Sequence, residues 1–299
     1  MQKMRTTSSK QSYANSSIST IEFSGHIFRE NTFGIIKRLR FFFEHIELAR
    51  TSLNLKVKDV RILDIGCGTG INVTMPLANF GYYLHGIDTD NASIEKAKTI
   101  AKNFQNLYFS CQQLISVTTS DLFHVVVCSE VLEHLKRPDK LLKQIRSVLV
   151  DDGLILITVP NGYGYFELES ALDQRFPMIA NLADNIQQRI VRRFGSDALK
   201  QRHSKERNKE HYELACSSLD GETTHCNKFT YQKIKRIIQD NSYKIIDFHN
   251  RTFLAGNIIN VLLRESDMLL KCNCAIADLL PKSMCSGWLI AAIKKKSPQ

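Results

Sequence analysis

The feature that most constrains the fold is a regular alternation of short apolar runs with amphipathic segments between residues 61 and 161. The apolar runs have the length of buried strands, and the stretches between them show helical spacing of apolar residues; in chain order the runs are VRILDIG, YYLHGID, NLYFSC, FHVVVCSE and LILITVPN. Near-continuous apolar strands that alternate with helices are typical of a parallel sheet covered on both faces. The sequence therefore predicts an α/β fold with a Rossmann-like, doubly wound sheet.

Two segments near the C-terminus extend this pattern. KFTYQKIKRIIQDNSYKIIDFHN predicts a helix and a strand, and GWLIAAIKK predicts the last strand of a mostly parallel, seven-stranded sheet. The stretch from Tyr163 to about His225 is rich in charge and lacks strand signals, so we expect an inserted helical cap. The predicted organisation is a disordered tail at 1–20, a core at 21–162, the cap at 163–226 and a C-terminal completion of the sheet at 227–299.

An amphipathic helix is predicted ahead of the first strand, from Phe33 to Arg50. Its apolar residues recur with helical spacing, and Lys37, Arg38 and Arg40 fall on the opposite, polar face. We expect this helix to cover the core, although a helix of this kind also suits a membrane surface.

Composition limits the classes of protein and compartment. The chain carries 40 Lys and Arg against 30 Asp and Glu, which permits contact with phosphates or an anionic membrane but is equally typical of a solvated basic surface. The 8 cysteines lack the spacing of a disulfide framework or a zinc site, so we expect reduced thiols and a cytoplasmic protein. No apolar run approaches the roughly 18 residues of a membrane span. The Ser/Thr-rich start predicts a disordered tail rather than a secretory signal, with a transit peptide as the alternative.

The glycine-rich stretch LDIGCGTG, from Leu63 to Gly70, lies between the first predicted strand and a predicted helix. In a doubly wound sheet, ligands bind at the carboxyl ends of the strands. Gly66, Gly68 and Gly70 offer bare backbone there, so we interpret them as a ligand-binding turn, against the alternative of a tight turn alone. Their spacing is G-x-G-x-G, which differs from the dinucleotide pattern G-x-G-x-x-G.

Two acidic residues indicate what the ligand is. Asp64 precedes the first glycine, where a carboxylate suits an ammonium group better than a pyrophosphate. Asp88 ends the second predicted strand, where an acid holds the hydroxyls of a ribose through its two oxygens. The alternative role for Asp88 is a helix N-cap, with Asp90 as its rival. An ammonium group, a ribose and close glycines together describe S-adenosylmethionine.

The stretch from Arg61 to about Asn161 resembles the class I S-adenosylmethionine-dependent methyltransferases. LDIGCGTG is similar to the first motif of that family, GIDTD to the second, and VVCSEVLEHLKRPDKLLKQIRSVLVDDGLILITVPN to the remaining motifs. His124 stands where the family often has an acid, at a position that we interpret as structural. The resemblance implies that Asp64, Gly66, Gly68 and Gly70 contact the methionine moiety, that Asp88 holds the ribose and that Gln112 lies at the adenine amine. The further residues expected to bind the cofactor are Cys67, Ser129 and Glu130.

A second constellation, SEVLEHL, supplies candidate catalytic groups. If a helix begins at Ser129, then Glu130, Glu133 and His134 share one face, because they lie three and four residues apart. Two carboxylates and an imidazole suit a divalent metal such as Mg²⁺, which would lower the pKa of an acceptor hydroxyl. Alternatively His134 acts as a general base, with Glu133 beside it, or the group only packs near the ligand.

The Glu-x-x-Glu-His pattern is similar to two magnesium-using subfamilies, and these set the rival functions. One comprises ubiquinone-biosynthesis O-methyltransferases. The other comprises small-RNA 3′-terminal 2′-O-methyltransferases, in which a further His completes the site; His225 is the local candidate here. We expect O-methylation of a small or lipid-linked acceptor, with Tyr163 and Tyr165 covering the cofactor or stacking on the acceptor. RNA 2′-O-methylation and a cofactor-binding subunit without turnover are the alternatives.

Overall fold

The computed structural model describes residues 20–23, 26–117, 122–165, 226–256, 259, 263 and 266–295. Most of the predicted cap and residues 1–19 of the predicted tail lie outside these ranges. Numbered over the described residues, the elements are β1 (Thr20–Phe23), β2 (His26–Arg29), α1 (Ile35–Ser52), β3 (Arg61–Ile65), α2 (Thr74–Ala78), β4 (Tyr83–Asp88), α3 (Asn91–Ile100), β5 (Leu107–Cys111), β6 (Phe123–Ser129), α4 (Pro138–Val148), β7 (Leu149–Pro160), α5 (Tyr231–Asp240), β8 (Tyr243–Asn250), α6 (Asp267–Leu279) and β9 (Gly287–Lys294).

Seven strands form one open sheet in the order β5-β4-β3-β6-β7-β9-β8. The five strands from β5 to β7 are parallel, and β9 runs antiparallel to both β7 and β8. This confirms the predicted α/β class and the mostly parallel, seven-stranded, Rossmann-like sheet. The chain winds outward from β3 to β5 and then returns to the other side of β3 as β6. The order of the strands therefore reverses between β3 and β6, where a doubly wound sheet forms its ligand crevice.

Helices cover both faces of the sheet. On one face α1 contributes Phe42 and Ile46, both fully buried, and packs over residues of β3, β6 and β7. On the other face α4 contributes Leu142 and Ile145, and α5 contributes Ile234 and Ile238. The strands are consequently buried on both sides, which explains why their sequences are near-continuous apolar runs.

The structure differs from the predicted elements in three places. The helix predicted after the glycine-rich turn, in the stretch INVTMPLANFG, is only the five-residue α2, because Pro76 has no backbone N–H and fits only in a first helical turn. The hairpin of β1 and β2 was not predicted. Helix α6 was also missed, since it has no single apolar stripe: Leu270 and Ala277 are buried, but Met268 and Leu279 are 68% and 86% exposed. Among the described helices, none is both long and apolar enough to cross a membrane.

Candidate functional site

The glycine-rich turn joins β3 to α2 at the predicted crevice. Gly66, Gly68 and Gly70 have φ angles of 68°, 53° and 74°, in the left-handed region that side chains disfavour. The N–H groups of Gly66 and Cys67 donate to the carbonyl of Ile87 at 2.8 and 3.1 Å. The turn is thus fastened to the end of β4, which brings the predicted residues of the first and second motifs together.

Two of these glycines are required by packing as well as by backbone angle. A Cβ atom on Gly66 would lie 2.6 Å from Cγ2 of Val131, and one on Gly70 would lie 2.4 Å from Cζ of Phe109. The same Phe109 ring approaches Gly86 of β4, where a Cβ atom would lie 2.6 Å from Cε1. The space beside Gly66 and Gly70 is therefore filled by the protein's own side chains, and the turn is held in shape from behind.

Asp88 lies at the end of β4 and organises the turn from the other side. Its Oδ2 accepts the N–H of Gly68 at 2.8 Å, and its Oδ1 accepts the N–H of Asp90 at 2.9 Å. The N-cap of α3 is Asp90, which accepts from the N–H groups of Ala92 and Ser93. Asp88 is therefore not the cap, and each carboxylate oxygen keeps a lone pair for a further donor such as a ribose hydroxyl.

Asp64 lies behind the turn, 2% exposed. The hydroxyl of Thr74 donates to its Oδ2 at 2.6 Å. Burial raises the pKa of Asp64 to about 7, with a further increase from Asp88; the Thr74 hydroxyl and the guanidinium of Arg38 act in the opposite direction. A buried carboxyl of this kind is stabilised as an anion when a cation binds beside it, which suits the ammonium of an amino-acid ligand.

A cavity of about 410 Å³ opens beside the turn, at the carboxyl ends of β3, β4 and β5. Gly66, Asp88 and Gln112 line it, together with apolar side chains that include Ile87 and Leu114. An apolar cleft with a few polar groups is the usual form of a nucleoside site. The resemblance assigns Gly66 to the ligand-binding turn, Asp88 to the ribose and Gln112 to the adenine, and all three line this one cavity. Cys67 is half-buried next to them, and burial raises the pKa of its thiol far above the usual value, so the thiol stays protonated.

The segment after β6 does not continue as the helix on which the metal prediction depends. Glu130 has a φ of 57°, and the helical turn that follows spans only Leu132–His134. The side chain of Glu130 binds Arg251 and Thr158, whereas Glu133 is 1% exposed and buried. Within the described ranges no three His, Cys, Asp or Glu side chains come together as a metal site. The expected set of Glu130, Glu133 and His134 is therefore not formed, and His225 lies outside those ranges.

Glu133 and His134 nevertheless lie next to each other. Their closest side-chain atoms, Oε1 and Nε2, are 3.9 Å apart, and the His134 side chain is 26% exposed. The carbonyl of Glu133 accepts the N–H of Asn227, which ties this turn to the chain before α5. The arrangement offers a buried carboxylate behind a partly accessible imidazole, near the end of β6.

Arg38 is a site residue that the sequence pattern missed. It was placed on the polar face of α1, but its Nη1 donates to Oγ of Ser129 at 3.3 Å, and its charge acts on both Asp64 and Glu130. Its Nε is buried and has no acceptor among the described residues. No local signal distinguishes it from Lys37 or Arg40, since only the packing of α1 over the strand ends brings it here.

The remaining predicted residues are placed as follows. Ser129 ends β6, and its hydroxyl lies 2.9 Å from that of Thr158. His124 is at the opposite end of β6, where Nδ1 accepts the N–H of Arg61 at 3.0 Å, consistent with a structural role. Tyr163 and Tyr165 are 71% and 37% exposed, and neither lines the cavity.

Comparisons with known proteins identify the family of the chain. A family model described as a methyltransferase domain matches residues 35–247. The ubiquinone biosynthesis O-methyltransferase of Rickettsia akari is 31% identical over 136 residues, 44% of this chain and 54% of that protein. The Coxiella burnetii protein of the same name is 29% identical over 119 residues, 39% of this chain and 50% of that protein. The chain thus matches about half the length of these curated relatives.

The chain is also similar to solved structures, at TM-scores below 0.5. A methyltransferase of Methanosarcina mazei that depends on S-adenosylmethionine has a TM-score of 0.47 at 16% identity, covering 83% of this chain and 98% of that one. The N-methyltransferase NodS of Bradyrhizobium japonicum has a TM-score of 0.44 at 14% identity, covering 86% and 98%. Because the family model spans more than two thirds of the 299 residues, the chain belongs to the methyltransferase domain family.

Proposed function

We propose that this enzyme transfers a methyl group to a hydroxyl oxygen of a small or lipid-linked acceptor. The observation that carries the proposal is the pair of Glu133 and His134 after β6, where a partly exposed imidazole lies beside a buried carboxylate. An imidazole takes a proton from a hydroxyl near neutral pH, and a carboxylate behind it stabilises the imidazolium that forms. The name O-methyltransferase carried by the curated relatives supports the same acceptor class.

The residues of the site fit the proposed cofactor group by group. The left-handed glycines suit a ligand that lies close to the backbone. The buried Asp64 suits an ammonium group, and the apolar cavity suits an adenosine. The amino-acid end also carries a carboxylate, for which Arg38 supplies a guanidinium within reach of Asp64. Asp88 would hold the ribose and Gln112 the adenine amine. The other proposed binding residues are Gly66, Cys67, Gly68 and Gly70 through the backbone, and Ser129 through its hydrogen bond with Arg38. Glu130, also expected from the sequence to bind the cofactor, is paired with Arg251 instead.

S-adenosylmethionine supplies a methyl group on a sulfonium, which is displaced in line by the acceptor oxygen. The protein's tasks are to align the acceptor, to exclude water and to receive the hydroxyl proton. We assign the proton to the imidazole of His134, with the carboxylate of Glu133 beside the ring. Glu130 is a poorer candidate for the base, because Arg251, Arg38 and the Thr158 hydroxyl hold its pKa below the usual value.

Replacing the proposed base should slow turnover without weakening cofactor binding. We expect His134→Ala to reduce kcat by roughly 100-fold or more, as for the loss of a general base. S-adenosylhomocysteine formation with hydroxylated aromatic acceptors, including a prenylated phenol, measures the rate, and calorimetry measures cofactor binding. His124→Asn is the matched control, because Asn keeps an acceptor for the N–H of Arg61. Methylation of amine acceptors but no hydroxyl acceptor would contradict the proposal.

Asp88→Ala tests the ribose assignment. We expect cofactor binding to weaken by about 1–3 kcal/mol, as for one lost charged hydrogen-bonding partner. Asp90→Asn removes a charge two residues away and keeps the N-cap, so its binding constant should stay near that of the wild type. Calorimetry with S-adenosylhomocysteine measures both variants; an Asp88→Ala constant equal to that of the wild type would exclude the assignment.

A further inference from the structure

Two arginines and one glutamate form a polar network between α1, the end of β6 and the end of β8. Arg251 Nη1 binds Oε2 of Glu130 at 2.8 Å, and the Thr158 hydroxyl donates to Oε1 of Glu130 at 2.7 Å. The hydroxyls of Thr158 and Ser129 lie 2.9 Å apart, and Arg38 Nη1 donates to Ser129 Oγ at 3.3 Å. These contacts thus connect the cofactor site to Arg251, the residue that follows β8.

Of the two arginines, Arg251 makes the ion pair with Glu130, whereas Glu130, Asp64 and Glu30 act on Arg38 through their charges. Burial raises the pKa of Glu130, but Arg251, Arg38 and the Thr158 hydroxyl outweigh it and hold the pKa below its usual value, so this side chain is an anion. Its Oε2 is paired with Arg251, and its Oε1 accepts from the Thr158 hydroxyl. The hydrogen bond of Arg38 goes to Ser129 rather than to Glu130, and its buried Nε finds no acceptor in the described part of the chain. One guanidinium is left available for another anion.

Arg251 is held rigidly in its place. Its side chain is only 4% exposed, and its backbone N–H donates to the carbonyl of Gly287 at 2.9 Å. A Cβ atom on Gly287 would lie 3.1 Å from Cζ of Arg251, and one on Gly34 would lie 3.2 Å from its Cγ. The two glycines leave the room that this arginine occupies, so it cannot easily leave Glu130.

Holding Glu130 also shapes the cofactor turn. Glu130 adopts the left-handed region, with a φ of 57°, which costs about 1–3 kcal/mol and persists only where the surroundings enforce it. The next residue, Val131, fills the space beside Gly66. The salt bridge to Arg251 and the hydrogen bond from Thr158 hold the side chain of Glu130 next to this point of the turn.

From this geometry we propose that Arg251 is a positioning residue that keeps Glu130 away from Arg38 and so reserves Arg38 for the carboxylate of the cofactor's amino acid. Without Arg251, the buried carboxylate of Glu130 needs a new cation, and Arg38 is the one beside it. Arg38 would then be neutralised by the protein rather than by the ligand. The inference rests on the proposed function, in which Arg38 binds that carboxylate.

The test is a double-mutant cycle on the full-length protein, read out by calorimetry. We expect Arg251→Met to raise the Kd of S-adenosylhomocysteine on the order of tenfold, within the range of coupling in one salt-bridge network. Adding Glu130→Gln removes the competing carboxylate, so the double variant should return to within about threefold of the wild type. The Kd of 5′-methylthioadenosine, which lacks the amino acid, should change little in either variant.

Controls separate this role from a structural one. A structural role makes the double variant at least as weak as Arg251→Met, and that result would overturn the inference. If Arg251→Met does not fold, Glu130→Gln alone decides: a Kd no weaker than that of the wild type supports the inference, and a clearly weaker one overturns it. Arg146→Met, away from the network, is the matched surface control. If Arg38→Met leaves the Kd of S-adenosylhomocysteine unchanged, the assignment of Arg38 in the proposed function fails instead.

Discussion

Asp64→Asn is expected to weaken cofactor binding while making the ligand-free protein more stable at neutral pH. The carboxylate is 2% exposed and accepts from the Thr74 hydroxyl, a bond that the Asn oxygen also accepts. Removing the buried negative charge takes away the partner of the cofactor's ammonium group, so we expect a loss of about 1–3 kcal/mol, or roughly 5- to 150-fold in Kd. The same change removes an ion from an apolar environment, which favours the folded state.

The stability of the ligand-free protein should depend on pH through the pKa of Asp64. The folded-state pKa of Asp64 is about 7, well above the ordinary value of 3.8. Between these values the folded protein holds a proton that the unfolded chain has released, so the free energy of unfolding falls as the pH rises through this window. Chemical denaturation of the ligand-free wild type should show this fall, and Asp64→Asn should show a smaller one.

Cofactor binding should change in the opposite direction with pH. Binding of an ammonium requires Asp64 to be ionised, so affinity should rise as the pH increases from about 6 to about 7, and then flatten as the ligand's own amine begins to lose its proton. Asp151→Asn, at an exposed aspartate, is the control. If Asp64→Asn binds S-adenosylhomocysteine as tightly as the wild type, with the same pH profile, Asp64 has no part in cofactor binding.

Gly70→Ala is expected to lower the free energy of unfolding by about 2–4 kcal/mol. Part of the cost is the left-handed backbone, with a φ of 74°, which a side chain disfavours by about 1 kcal/mol or more. The rest is overpacking, because the new Cβ would lie 2.4 Å from Cζ of Phe109 and 2.8 Å from Cε1, and overpacking costs roughly 1–3 kcal/mol. Urea denaturation of the ligand-free protein measures the change.

Two further variants separate the causes. Gly81 has a φ of 90°, but the nearest atom to an added Cβ is 3.5 Å away, so Gly81→Ala carries the backbone cost without the clash. Phe109→Leu removes the ring atoms that the new methyl group meets. The double variant with Gly70→Ala should therefore be more stable than the sum of the two single changes by about 1–2 kcal/mol. Additive losses would mean that the Phe109 ring does not shape the turn.

The central part of the fold was predictable because its information is local. The five runs from Arg61 to Pro160 are strands in the structure, and the turn at Gly66–Gly70 lies where the pattern put it. Asp90 and Asp88 separate cleanly into a helix cap and a turn-organising acid, a choice that the sequence left open. Why glycine is needed at these positions was only partly predictable. The side chains that pack against Gly66 and Gly70 are Val131 and Phe109, which lie in segments far along the chain.

The rest of the site depends on contacts between residues far apart in sequence. Arg38 looks like an exposed residue of α1 until the helix is packed over the sheet. The sequence predicts Glu130 on one helix with His134. In the structure Glu130 has a left-handed backbone, and its side chain forms a salt bridge with Arg251. Arg251 lies 121 positions after Glu130 in the chain, and no rule of residue spacing relates positions so far apart. The metal prediction assumed a helix that this segment does not form.

A crystal structure of the full-length protein with S-adenosylhomocysteine tests the central claim most directly. The account predicts adenosine in the cavity of Gly66, Asp88 and Gln112, both ribose hydroxyls on the Asp88 carboxylate, and the amino-acid carboxylate on Arg38. A ligand elsewhere on the sheet, or a ribose that does not touch Asp88, would contradict it.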